Sequence, residues 1–172
     1  ANLVKLEGLI RERTCKVLDS LPENEAFDWV DTVSIELTTM MLATLFDFPF
    51  EERTKLTYWS DLATSTPEIA GGDTDPEERF AGLSECLETF TRIWHERKDD
   101  GVETLDLIRM LQRDPNTANM VDEPMEFLGN LILLIVGGND TTRNSASAGV
   151  LALNQNPDQY DKLRANPDLI PS

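Results

Sequence analysis

Six apolar residues, Leu131-Ile132-Leu133-Leu134-Ile135-Val136, run without a gap into Gly137-Gly138-Asn139-Asp140-Thr141-Thr142. The first half has the pattern of a helix buried on every side. The second half is six poor helix formers in succession. Each Gly costs about 1 kcal/mol relative to Ala, and each Asn, Asp or Thr about half that. Carrying a helix through them costs roughly 4 kcal/mol. Helical patterning still resumes at Ala146, Val150, Leu151 and Leu153, so one long helix over 125–153 is expected, with a local opening at its centre. Leu133, Val136, Gly137 and Thr141 would share one face there, with the acid Asp140 beside the hydroxyl of Thr141. Two accounts fit this pattern. A Gly-Gly helix crossing, or a break at which Asp140 caps a second helix, needs no ligand. Alternatively, two bare glycines admit a flat ligand or a small molecule to the backbone.

The rest of the chain is patterned for helices as well. Leu3, Leu6, Ile10, Val17 and Leu21 form one stripe, broken by Pro22 and Asn24. A second apolar run spans 27–46, and Glu51-Glu52 suit the start of a third helix carrying Leu56, Trp59 and Leu62. Turn residues mark a loop over 63–74. Asp75-Pro76-Glu77-Glu78 then reads as an N-cap, a first-position proline and a capping box. The helix it opens has Phe80, Leu83, Leu87, Phe90 and Trp94 at three- and four-residue spacing, a narrow buried seam. Shorter helices are expected over 104–112 and 158–165, and sustained period-two alternation is lacking, so the fold class is mainly α.

Composition limits the chemistry. Fifteen basic residues against 32 acidic ones give a formal net charge of -17 over 172 residues. Such a surface opposes nucleic acid, whose phosphates need Lys and Arg. The six-residue apolar run falls far short of the roughly 20 residues of a membrane span. One His excludes a cluster of His metal ligands, so no metal ligand is assigned within the chain. Two Cys fit a reducing compartment and a cytoplasmic location. His95 lies near a helix end and is expected to be solvated. The chain begins at Ala1 and ends at Ser172, and both ends read either as cuts through a longer chain or as short tails of a processed domain.

Gly137-Gly138-Asn139-Asp140-Thr141-Thr142 resembles the distal-helix motif [A/G]-G-x-[D/E]-T-[T/S] of the cytochrome P-450 family. Asn156-Pro157-Asp158-Gln159 and Leu163-Arg164-Ala165-Asn166-Pro167 resemble the N-P-x-x-x-x-x-L-R-x-[N/D]-P stretch that follows that helix in bacterial members. The resemblance spans the chain, with its specific motifs confined to 137–167, and is greatest to bacterial alkane and fatty-acid terminal hydroxylases. It implies the central helical portion of the cytochrome P-450 fold: residues 1–172 as a partial domain of distal helices, an access lid at the 63–74 loop and the long central helix. It also implies heme as cofactor and dioxygen as co-substrate. Gly137 and Gly138 would lie against the heme face. Thr141 would hydrogen-bond oxygen species at the iron and help deliver protons, and Asp140 would relay protons from solvent. Leu133 and Val136 would face an apolar small-molecule substrate. Ferredoxin and ferredoxin reductase are the implied electron-transfer partners.

One part of the family pattern is missing. The family ligates heme through a Cys in F-x-x-G-x-x-x-C-x-G. Phe80-Ala81-Gly82-Leu83-Ser84-Glu85-Cys86 approaches it, but the Phe is misplaced by one and Glu88 replaces the second Gly. Phe80 and Leu83 also belong to a helical seam, so Cys86 reads as a helix residue. The family's E-x-x-R pair is absent too, and the iron ligand is expected outside this chain. The leading expectation is a portion of a heme-thiolate monooxygenase that inserts one oxygen atom into a C–H bond, inactive as this chain alone. A terpene or steroid hydroxylase of the same fold is the second, and a non-enzymatic helical interaction domain the third.

Overall fold

The computed structural model describes residues 6–65, 75–98, 101 and 106–170, and among them every regular element is a helix. The order is α1 (Glu7–Asp19), a π-helical segment (Val30–Ile35) running directly into α2 (Glu36–Leu45), α3 (Thr54–Thr64), α4 (Pro76–Arg97), α5 (Leu107–Arg113), α6 (Pro124–Gln155) and α7 (Pro157–Ala165), with 3-10 turns at Phe50–Glu52, Met120–Asp122 and Pro167–Leu169. None of these helices is long and apolar enough to cross a membrane. The expected lid loop lies outside the described residues apart from 63–65.

Local chemistry places the helix starts. Asp28 caps the π segment, its carboxylate accepting from the amides of Val30 at 2.8 Å and Asp31 at 3.1 Å. Asp75 caps α4 by accepting from Glu77 N at 2.9 Å, with Pro76 in the first turn as expected. Glu78 instead accepts from the Tyr58 hydroxyl at 3.4 Å, so it serves the α3–α4 contact.

One core joins α2, α3, α4, α5 and α6. It holds Leu42, Phe46, Phe48, Leu56, Trp59, Phe90, Trp94, Ile108, Phe127, Leu131 and Ile135. Four aromatic rings, Phe46, Phe48, Trp59 and Phe90, sit with centroids 5.1 to 6.0 Å apart, within the range of favourable edge and tilted pairs. Val17, Val33 and Met40 form a smaller cluster under α1.

Three expectations change. The buried seam of α4 is Gly82, Cys86, Phe90, Ile93 and Trp94, while Phe80 is 76% exposed. Gly82 directs this rotation, because a Cβ there would sit 2.2 Å from Leu62 Cδ1 of α3. The helices approach where the side chain is missing, not where it is large. Second, α6 is buried on one face and not all round: Leu133 is 70% exposed. Third, α6 is an unbroken α-helix through its poor helix formers. Burial of Phe127, Leu131 and Ile135, worth about 1.5–3 kcal/mol each, offsets the roughly 4 kcal/mol of propensity. The irregular backbone lies instead in the π segment, which the apolar periodicity of 27–46 did not reveal.

A buried ion cluster ties the far end of α4 to α5. Asp106 is 1% exposed; it caps α5 through Ile108 N at 2.8 Å and accepts from Arg97 at 2.6 Å and Arg109 at 2.7 Å. Arg97 also donates to the carbonyl of Phe46 at 2.7 Å, joining the turn after α2 to the cluster. Asp47 also lies 3.7 Å from Arg97 and 3.4 Å from Arg109 but is largely exposed, so removing Asp106 takes away the buried counterion of both arginines. Asp106→Ala is expected to destabilise the protein by about 3–5 kcal/mol in urea unfolding; a loss below about 1 kcal/mol, the range of an exposed pair, would contradict this account.

Cys86 is fully buried in the core, and burial, helped by the charge of Glu85, pushes its thiol up to about 12. It is thus held as an inert thiol, while Cys15 is exposed. Alkylation at pH 8 followed by peptide mass mapping is expected to mark Cys15 in the folded protein and Cys86 only after unfolding. Equal labelling rates would refute this placement.

Candidate functional site

The site follows from two opposed faces of α6. Phe127, Leu131, Ile135 and Asn139 recur every four residues and are buried. Two residues out of step, Leu133, Gly137 and Thr141 also recur every four residues, and all three are exposed. A shift of two residues is about 200° around a helix, so the second row lies opposite the first. Gly137 has no heavy atom within 4 Å of where a Cβ would stand. The result is an open face with a bare centre at Gly137, an apolar neighbour at Leu133, a half-buried flank at Val136 and a hydroxyl at Thr141.

Gly138 plays a different part from Gly137. It points to α2, where a Cβ would come within 2.8 Å of Leu42 Cδ2. Its lack of a side chain allows the α2–α6 approach, so the two adjacent glycines serve different sides of one helix, about 100° apart.

Thr141 donates its hydroxyl hydrogen to the carbonyl of Gly137 at 2.7 Å. Its lone pairs remain to accept a hydrogen bond, and rotation about χ1 would let it donate elsewhere. Asp140 is half-buried between the open face and the core. Its Oδ1 accepts from Arg143 at 2.9 Å, from Ser60 of α3 at 3.4 Å and from the Asn139 amide at 3.4 Å. Arg143 also donates to Asp61 of α3 at 3.3 and 3.4 Å. Asn139 in turn accepts from Thr38 of α2 at 2.9 Å, and Ser147 donates to Ser34 of the π segment at 2.9 Å. A polar seam therefore runs along α6 beside the open face, anchored by three elements. Successive residues Asn139, Asp140 and Thr141 step from core to seam to open face, because each residue turns about 100°.

Of the residues singled out in the sequence, Leu133, Gly137 and Thr141 share the open face, Val136 borders it, Asp140 adjoins it and Gly138 faces α2. Arg143, Ser60, Asp61 and Thr38 were not anticipated. Arg143 was within reach of sequence reasoning, since it stands three residues after Asp140 on one helix. The other three had no signal, because only the tertiary packing of α2 and α3 brings them there.

The open face suits a planar, largely apolar group such as heme. Gly137 removes the side chain that would hold such a group away from the backbone, and Leu133 offers apolar surface beside it. Cys86 lies in the core, in a different place from this face. Among the described residues, no group of three or more His, Cys, Asp or Glu could hold a metal ion.

No protein-family model matches the chain. The chain is similar to the solved structure of cytochrome P450-153 from Novosphingobium aromaticivorans, with 48% identity, a TM-score of 0.82, and 98% of this chain and 39% of that one covered. It is 30% identical to the steroid C26-monooxygenase of Mycolicibacterium smegmatis, over 91% of this chain and 35% of that protein. It is 32% identical to the linalool 8-monooxygenase of Pseudomonas putida, over 99% of this chain and 41% of that protein. The chain thus spans about two fifths or less of the curated relatives it matches. With a helical architecture that superposes on a cytochrome P450 at this level of identity, and with relatives of that kind along nearly its whole length, the chain belongs to the cytochrome P450 family and carries part of its helical fold.

Proposed function

We propose that the protein containing this chain is a heme-thiolate monooxygenase that inserts one oxygen atom from dioxygen into a C–H bond, at the terminus of an alkane or fatty acid. The observation that carries the proposal is the open face of α6, with a bare Gly137 between Leu133 and Thr141 and an ion-paired Asp140 at its edge. Residues 1–172 form part of one domain on this reading, with the iron ligand outside the chain. Heme, when bound, supplies the oxygen activation at its iron.

The chain's own residues do the rest. Gly137 keeps the face clear of side chains. Leu133 and Val136 exclude water and offer burial and shape, the only means of recognising an alkane. Thr141 holds a proton donor at its lone pairs, or rotates off the Gly137 carbonyl to donate itself. Asp140, anchored through Oδ1, passes protons from solvent toward Thr141, which is general acid work. Electrons come from ferredoxin and its reductase, and the protein acts in the cytoplasm.

The alkane and fatty-acid reading rests on the sequence resemblance to bacterial terminal hydroxylases, beside a likeness to cytochrome P450-153 at nearly half the residues. A terpene or steroid hydroxylase is the second reading, favoured by relatives named for linalool and steroid oxidation. Product analysis with an alkane, a fatty acid, linalool and a sterol separates the two. For the role of Thr141, Thr141→Ala in the full-length enzyme is expected to lower product per reducing equivalent by roughly tenfold while oxygen consumption continues. That is less than the full contribution of a positioned proton-transfer group, because water can substitute. Unchanged coupling would remove Thr141 from the mechanism.

A further inference from the structure

Asn139 is wholly buried, and its amide bridges two partners of different character. Its oxygen accepts from the Thr38 hydroxyl at 2.9 Å, and its nitrogen donates to Asp140 at 3.4 Å. Thr38, itself buried, has two other acceptors in the π segment, the carbonyls of Ser34 at 2.9 Å and Ile35 at 3.1 Å. A hydroxyl has one hydrogen and two lone pairs. Thr38 can donate to Asn139 or to Ser34, but not to both at once.

That choice gives the amide two orientations with equal numbers of hydrogen bonds. In one, Thr38 donates to the amide oxygen and the amide N–H donates to Asp140, which suits a carboxylate. In the other, the amide is turned over. Its N–H donates to Thr38, Thr38 donates to the Ser34 carbonyl, and the amide oxygen accepts from a protonated Asp140. In each, the amide oxygen and one of the two amide N–H groups are paired. The groups facing Asp140 from its own helix and from α3 are Arg143, Ser60 and, through Arg143, Asp61. Arg143 only donates, so it can bond to an oxygen of either form, while its positive charge favours the carboxylate.

We propose that Asn139 is a positioning residue whose amide turns over as Asp140 gains and loses a proton, keeping the carboxyl aimed in both states through Thr38 and the π segment. The proposal rests on Asp140 being the proton-relaying acid.

The test uses the full-length enzyme. Asn139→Leu and Thr38→Val are each expected to lower product per reducing equivalent severalfold, through kcat with KM unchanged, and Thr38→Ser to restore most of what Thr38→Val loses. Adding Asn139→Leu to Asp140→Asn should cause no further loss. Thr39→Val is the control for loosened packing. It breaks the hydrogen bond between buried Thr39 of α2 and half-buried Thr57 of α3 at 2.7 Å and should leave coupling intact. A second readout is independent of turnover. With 15N-asparagine labelling, the Asn139 side-chain amide signals should move in Thr38→Val and Asp140→Asn and stay in place in Thr39→Val. If Asn139→Leu does not fold, the Thr38 variants and the amide signals carry the test. Normal coupling in both Asn139→Leu and Thr38→Val beside impaired Asp140→Asn would overturn the positioning role alone. Normal coupling in Asp140→Asn would overturn the underlying reading. Equal losses in Thr39→Val would reduce the effect to packing.

Discussion

The row Phe127, Leu131, Ile135 and Asn139 sets where everything else in this chain lies. Its three apolar members pack into the core shared with α2, α3, α4 and α5, and this fixes the rotation of α6 about its own axis. Once that rotation is fixed, the row two residues out of step must face away. The open face at Leu133, Gly137 and Thr141 is thus a geometric consequence of the buried one. The same rotation brings Gly138 against Leu42 and aims Asp140 along the boundary.

Asn139 ends the buried row with a polar group, which core packing alone would disfavour. Thr38 meets that cost with a hydrogen bond, and the π segment sets Ser34 within reach of both Thr38 and Ser147. Irregular backbone in one helix therefore supports a polar seam on another. The six poor helix formers are tolerated because the apolar turns preceding them are anchored and the seam beside them is hydrogen-bonded, so a helix that propensity alone would open stays continuous.

Much of this was legible in the sequence, and the failures share a cause. The three- and four-residue spacing located α2, α3, α4 and α6, and Asp75-Pro76 marked the start of α4 because capping is local chemistry. The motif at 137–142 and the stretch at 156–167 pointed to the family. What spacing could not tell is which face of a helix meets a neighbour. Phe80 fits the three- and four-residue spacing of a seam, yet Gly82 is where α3 comes close, since small residues admit a neighbour that large ones exclude. Leu133 lies in an apolar run that reads as buried all round, whereas it is 70% exposed. The roles of Arg143, Ser60 and Asp61 depend on α3 lying beside α6, a long-range contact that no local pattern encodes.

On the proposed function, the open face of α6 would be the oxygen-facing side of a heme whose iron ligand lies outside these 172 residues. A carbon-monoxide difference spectrum tests it most directly, recorded on the full-length protein and on this chain alone after reconstitution with heme. The account predicts the signature of thiolate-ligated heme for the full-length protein and none for the chain. A thiolate signature from the chain alone, or none from the full-length protein, would contradict it.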